Sequence, residues 1–115
     1  MNQNLDSSSY ASERLQNERQ QMIETLKAPI IQLGKSIVGV EVIDNYDQGA
    51  GPIDVLWIFK PGSEALPDIR MGFVCLTSDE YYSESLVNEI IIKSMMNLVD
   101  KLVIVVPSEN MTKRM

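Results

Sequence analysis

Few residues in this chain could do chemistry, and most of those are carboxylates. Glu41, Asp44 and Asp47 fall around the end of one apolar run, and Asp54 stands at the start of the next. Acids brought together by adjacent strands can hold a hard divalent cation such as magnesium, which takes oxygen ligands and activates water or polarises phosphate. Asp54 and Glu41 are the candidate metal ligands, with Glu24 from an upstream helical stretch as a further candidate. The competing reading is structural, because Asp44 and Asp47 are turn formers and an acid at a strand end is usually solvated. Lys60 lies six residues after Asp54, about 20 Å along an extended chain, and is too distant to share its first shell.

Other chemistries are excluded by residue type. The chain has no histidine, which removes His-dependent triads and His-ligated zinc. Its one cysteine, Cys75, cannot form an intramolecular disulfide, and its apolar neighbours mark it as a small buried hydrophobe rather than a nucleophile. The glycines at 49, 51, 62 and 72 form neither GxGxxG nor a phosphate loop, and CxxC, HExxH and a nucleophile elbow are absent. A net charge of −6 and a pI near 4.5 disfavour bulk attraction to nucleic-acid backbones.

The elements that position these residues are read from periodicity. With 115 residues, 44% of them hydrophobic and 23% charged, the chain suits one globular domain. Residues 1–11 are polar and Ser-rich and read as a flexible arm, 12–107 as the domain, and 108–115 as a tail. Ser9 or Ser12 can cap a helix whose apolar stripe is Leu15, Met22, Leu26, Ile30 and Leu33, with Lys27 on the polar side near its end. Pro29 predicts a kink or break near Lys27-Ala28, and Gly34 a stop. Strands are expected over Ser36–Asp44, Ile53–Lys60 and Ile69–Leu76, the second with Asp54, Leu56, Ile58 and Lys60 on one face and Val55, Trp57 and Phe59 on the other. Thr77 with Glu80 fits a capping box, with Ser83 as the alternative cap, ahead of an apolar helix over Tyr82–Val99. Only Asp100-Lys101 then leads into the apolar strand Leu102–Val106. The result is an αβββαβ order: a mixed four-stranded sheet packed with two helices, the last strand parallel to the third.

That order, with Gly51-Pro52-Ile53-Asp54 opening the second strand and Asp100 to Pro107 closing the domain, resembles the PD-(D/E)xK nuclease superfamily, the restriction-endonuclease-like fold. The resemblance places the family's aspartate on Asp54. Its Glu-x-Lys should follow on the next strand, where this chain reads Gly72-Phe73-Val74-Cys75-Leu76-Thr77, with neither the acid nor the lysine. A magnesium site there lacks a ligand, and the attacking water lacks its positive partner. The resemblance therefore implies a degenerate nuclease without catalytic function.

Three functions stand as expectations. The first is a non-catalytic interaction or regulatory module that forms a homodimer, or binds a protein partner, through helix 82–99. Its apolar stripe is wider than one sheet needs, and Met95-Met96 suit an adaptable surface. The alternative is a magnesium-dependent nuclease using Asp54, Glu41 and Glu24. The third is nucleic-acid binding by Arg14, Arg19, Lys27 and the Lys113-Arg114 tail. No apolar run approaches the ~20 residues that span a bilayer, and residues 1–12 lack a signal-peptide core, so a soluble, cytoplasmic protein is expected.

Overall fold

The computed structural model describes residues 2–47, 52–96 and 99–108, with side chains from Glu13 onward. The expected turn glycines Gly49 and Gly51, helix residue Leu98 and the basic pair Lys113-Arg114 lie outside the described residues. The chain runs α1 (Asn2–Ser36), β1 (Val40–Asp47), β2 (Pro52–Phe59), β3 (Ile69–Cys75), α2 (Ser78–Tyr81), α3 (Glu84–Met96) and β4 (Lys101–Val105). The sheet order is β1-β2-β3-β4. β1 and β2 pair antiparallel from Val40↔Phe59 to Asp47↔Pro52. β2 and β3 pair antiparallel from Val55↔Phe73 to Phe59↔Ile69. β4 lies parallel to β3, Met71↔Lys101 through Cys75↔Val105. The αβββαβ order and the parallel final pair follow from the hairpin-length loops and the helical crossover, which cannot close in any shorter way.

α1 covers one face of the sheet and α3 packs against the other. On the α1 side, Val55, Trp57 and Phe73 pack with Ile30, Ile31, Val42 and Val103, and a second cluster joins Met22, Ile23 and Cys75. On the α3 side, Tyr46, Ile53, Leu56, Val74 and Leu76 pack with Val87, Ile90 and Val99. The Arg70 guanidinium lies 5.1 Å from the Tyr46 ring centroid, and its Nη2 donates to the Tyr46 hydroxyl at 2.5 Å.

α1 departs from expectation in three ways. It starts at Asn2, so the segment read as a frayed arm is helical. No Pro or Gly interrupts residues 2–12, and a helix nucleated by its packed half gains one bond per added residue. It also runs through Pro29 to Ser36 instead of breaking near Lys27-Ala28. The proline ring sits on the exposed side, while Lys27, Ile30, Ile31 and Gly34 bind both flanks to the sheet. Its buried stripe is Met22, Ile23, Leu26, Lys27, Ile30, Ile31 and Gly34, whereas Leu15 and Leu33 are exposed.

Gly34 is not the helix stop. A Cβ there would sit 2.5 Å from Trp57 Nε1 and 2.7 Å from Val42 Cγ2, so glycine lets α1 lie directly on the indole. Among the described residues Trp57 Nε1 has no hydrogen-bond partner, a cost of that close approach. The turn comes later, over Ile37 to Gly39, with Gly39 at φ 85°. β1 therefore begins at Val40 rather than Ser36, and it continues through Asn45 to Asp47, a stretch that composition assigns to a turn.

The helix expected over Tyr82–Val99 is α3, Glu84–Met96, and a separate four-residue helix, α2, precedes it. Thr77 caps α2 in a complete capping box with Glu80, and α3 starts after Ser83. Within α3, Val87 and Ile90 face the sheet together with buried Ser94, whose Oγ donates to the Ile90 carbonyl at 2.8 Å. Met95 and Met96 are 69% and 68% exposed.

Candidate functional site

The charged residues with the most restricted surroundings gather where α1 crosses the ends of β1, β2 and β3. Alternation along β2 breaks here. Leu56 and Ile58 belong to the α3-side cluster, and so does Ile53, not Asp54. Asp54 instead turns its carboxylate to the α1 side, next to Val55, and Oδ2 accepts the Cys75 backbone N–H at 2.7 Å. Across the pair, Asn45 adopts φ 55°, a left-handed conformation that asparagine tolerates. That local irregularity lets consecutive residues Asp44 and Asn45 both meet α1.

What they meet is Lys27, whose side chain is 1% exposed. Its ammonium lies 2.5 Å from Asp44 Oδ1, donates to Asn45 Oδ1 at 3.0 Å and stands 3.7 Å from Glu24 Oε1. Burial alone would lower the Lys27 pKa. The hydrogen bond and charge of Asp44, with the charges of Glu24 and Asp54, outweigh it and hold Lys27 above 10.5. For Asp54 the balance runs the other way. Burial raises its carboxyl above 3.8 despite the Cys75 N–H and the positive charges of Lys27 and Arg19. Burial, with the Asp54 charge second, pushes the Cys75 thiol up to about 12, so it is a packed hydrophobe and not a nucleophile at neutral pH.

The outer border of this seam is an ion pair between helices. Arg19 Nε donates to both Glu80 oxygens, at 3.2 and 3.1 Å, while Glu80 Oε1 also accepts the Thr77 N–H at 2.9 Å. Burial opposes ionisation of Glu80, but those donors win and hold its carboxyl below 4.5.

The sequence-derived site residues separate into different places. Asp54 lies in the seam. Glu24 is near it, on the exposed border, and accepts from Gln20 at 3.0 Å. Glu41 lies elsewhere: it pairs with Ile58, four residues along β2 from Asp54, or about 13 Å. Its carboxylate is 2.6 Å from Lys60 Nζ, and that hydrogen bond and charge raise the Lys60 pKa. Among the described residues no group of three or more His, Cys, Asp or Glu could hold a metal ion. The acids around the seam converge on an ammonium rather than on each other. Sequence reasoning missed Lys27 because it was assigned by charge. Its spacing of four from both Ile23 and Ile31 puts it on the buried stripe, and that signal was available. No signal for the Arg19–Glu80 contact exists in the sequence, since the partners are 61 residues apart.

No protein-family model, curated protein or solved structure matches this chain.

Proposed function

We propose that this chain is a non-catalytic interaction module that self-associates through the outward flank of α3. The observation that carries the reading is a patch on a single helical turn and a half. Ile91 is 41% exposed, Ile92 60%, Met95 69% and Met96 68%. The pairs 91/95 and 92/96 are spaced by four, so the side chains form two adjacent apolar rows, the first flanking Val87 and the second on the outward side. Methionine gives such a surface the flexibility to fit a partner.

The neighbouring sheet edge supports the same reading. β4 has β3 as its strand partner, and Leu102 to Val106 are all apolar and only partly buried. The opposite edge, β1, carries Glu41, Asp44, Asn45 and Asp47, the charges and irregularity that keep an edge from pairing. α3 bears Glu84 and Glu89 before Lys93, and two copies laid antiparallel across a two-fold axis bring Glu84 of one toward Lys93 of the other, which within one copy pairs with Glu89 at 3.0 Å. A metal-dependent nuclease reading draws less support. Asp54 and Glu41 do not share a site, and on β3 the residues on the Asp54 side are Phe73 and Cys75, where the nuclease resemblance asks for an acid and a lysine.

Light scattering across a concentration series tests the proposal. The parent chain is expected to dimerise, and the double variant Ile92→Glu/Met95→Glu to be monomeric with an unchanged fold, since both positions are exposed. A strictly monomeric parent at high concentration overturns it. The same experiment with a Mg2+ or Mn2+ cleavage assay separates this reading from the catalytic one, which demands activity that Asp54→Ala abolishes.

A further inference from the structure

α1 is one continuous helix, but its two halves are fastened differently. After Pro29, Ile30 and Ile31 pack into the cluster of Val55, Trp57 and Phe73, and Gly34 rests on the indole. Before Pro29 the apolar attachment is smaller: Met22 and Ile23, each 4% exposed, sit with part-buried Leu26 over Cys75 and Val105. A polar seam divides the two patches, where Lys27 reaches Asp44 and Asn45. Residues 13–21 of α1 are all exposed, and Arg19 is the residue among them that spans to Glu80 of α2.

We propose that residues 13–28 of α1 form a hinged lid that turns about Pro29, is latched by the Arg19–Glu80 pair, and when open uncovers Cys75 and Asp54. The hinge has a covalent basis. Pro29 has no N–H, so the Thr25 carbonyl lacks its helical donor and the helix has lost one rung at the junction of its two attachments. The latch is a fork of one Arg Nε across two carboxylate oxygens on a partly exposed surface, strong enough to hold the lid and weak enough to release it. Because the lid is held by one three-residue apolar patch, the Lys27 contacts and one surface ion pair, it opens at lower free energy than the domain unfolds. Opening parts Lys27, which moves with the lid, from Asp44 and Asn45 and exposes the Cys75 thiol, 0% exposed in the closed form, next to the part-buried Asp54 carboxylate.

The chain carries its own reporters: a single cysteine beneath the lid and a single tryptophan beneath the anchored half. Labelling of Cys75 by a disulfide reagent is measured in rising urea, alongside Trp57 fluorescence on the same samples at concentrations where the chain is monomeric. The expected result is labelling nearly independent of urea well below the Trp57 midpoint. Arg19→Ala and Glu80→Gln are each expected to raise the labelling rate about threefold with the Trp57 midpoint unchanged. Pro29→Ala, which restores the missing rung, is expected to slow labelling severalfold relative to its own Trp57 unfolding rate. Labelling that follows the urea dependence of Trp57 unfolding in every variant overturns the proposal, because α1 then leaves only with the whole domain. An unchanged rate in Arg19→Ala removes the latch, and a rate unchanged or faster in Pro29→Ala removes the hinge.

Discussion

The two faces of the sheet are covered in opposite ways. On the α1 side a long, mostly polar helix supplies a narrow buried stripe that fits the sheet, and even its lysine is absorbed by Asp44 and Asn45. On the α3 side a 13-residue helix carries more apolar surface than the sheet can accept, and the excess faces outward. Total hydrophobicity therefore does not tell how well a helix is buried. A polar helix of matched stripe spends that stripe on its own sheet, while an apolar one of mismatched width leaves apolar surface exposed. The first face is built for internal fit, and the second is the one proposed above to serve association.

If that contrast holds, the α1 face should be intolerant of added volume. Gly34→Val drives a Cβ into Trp57 and Val42, and about 3 kcal/mol or more of stability should be lost in urea unfolding followed by Trp57 fluorescence. A loss near zero would mean that α1 is free to lift from the indole. The next effect concerns Lys27. Lys27→Ala should cost about 2–4 kcal/mol through the cavity it leaves. Lys27→Met should cost about 1 kcal/mol or less, because its partner Asp44 is half-exposed and stays hydrated when unpaired. Equal losses in the two variants would show that the ion pair, and not the stem, holds the seam. The pH dependence has a fixed sign: the raised Lys27 pKa contributes stability below 10.5 that is lost as pH rises through its higher folded value.

The smallest effect sharpens the reading of Asp54. Its carboxyl is raised in the folded state, so its stabilising contribution is present below pH 3.8 and lost as pH rises through the folded value. Asp54→Asn keeps an acceptor for the Cys75 N–H and removes the buried charge. The urea midpoint should rise at neutral pH and stay unchanged below pH 3.8. A fall at neutral pH would show that attraction to Lys27 and Arg19 outweighs burial. Glu80 has the opposite sign, its contribution being present above 4.5 and lost on acidification, so the two carboxylates of one seam titrate against each other.

Much of the fold was legible in the residues. The strand runs, the Thr77–Glu80 cap and the two-residue link into Leu102–Val106 determine four strands, a helical crossover and a parallel last pair, because periodicity and connection length leave few closures. Three features took their final form from tertiary structure. α1 passes through Pro29 because contacts on both sides outweigh one missing hydrogen bond. Lys27 is buried because Asp44 and Asn45 of a distant strand wait for its charge. Asp54 faces α1 because the strand pair breaks its alternation beside Asn45. Local sequence reports which side chains alternate and where a helix can begin. It does not report what stands opposite them, and at this seam the opposing group determines the outcome.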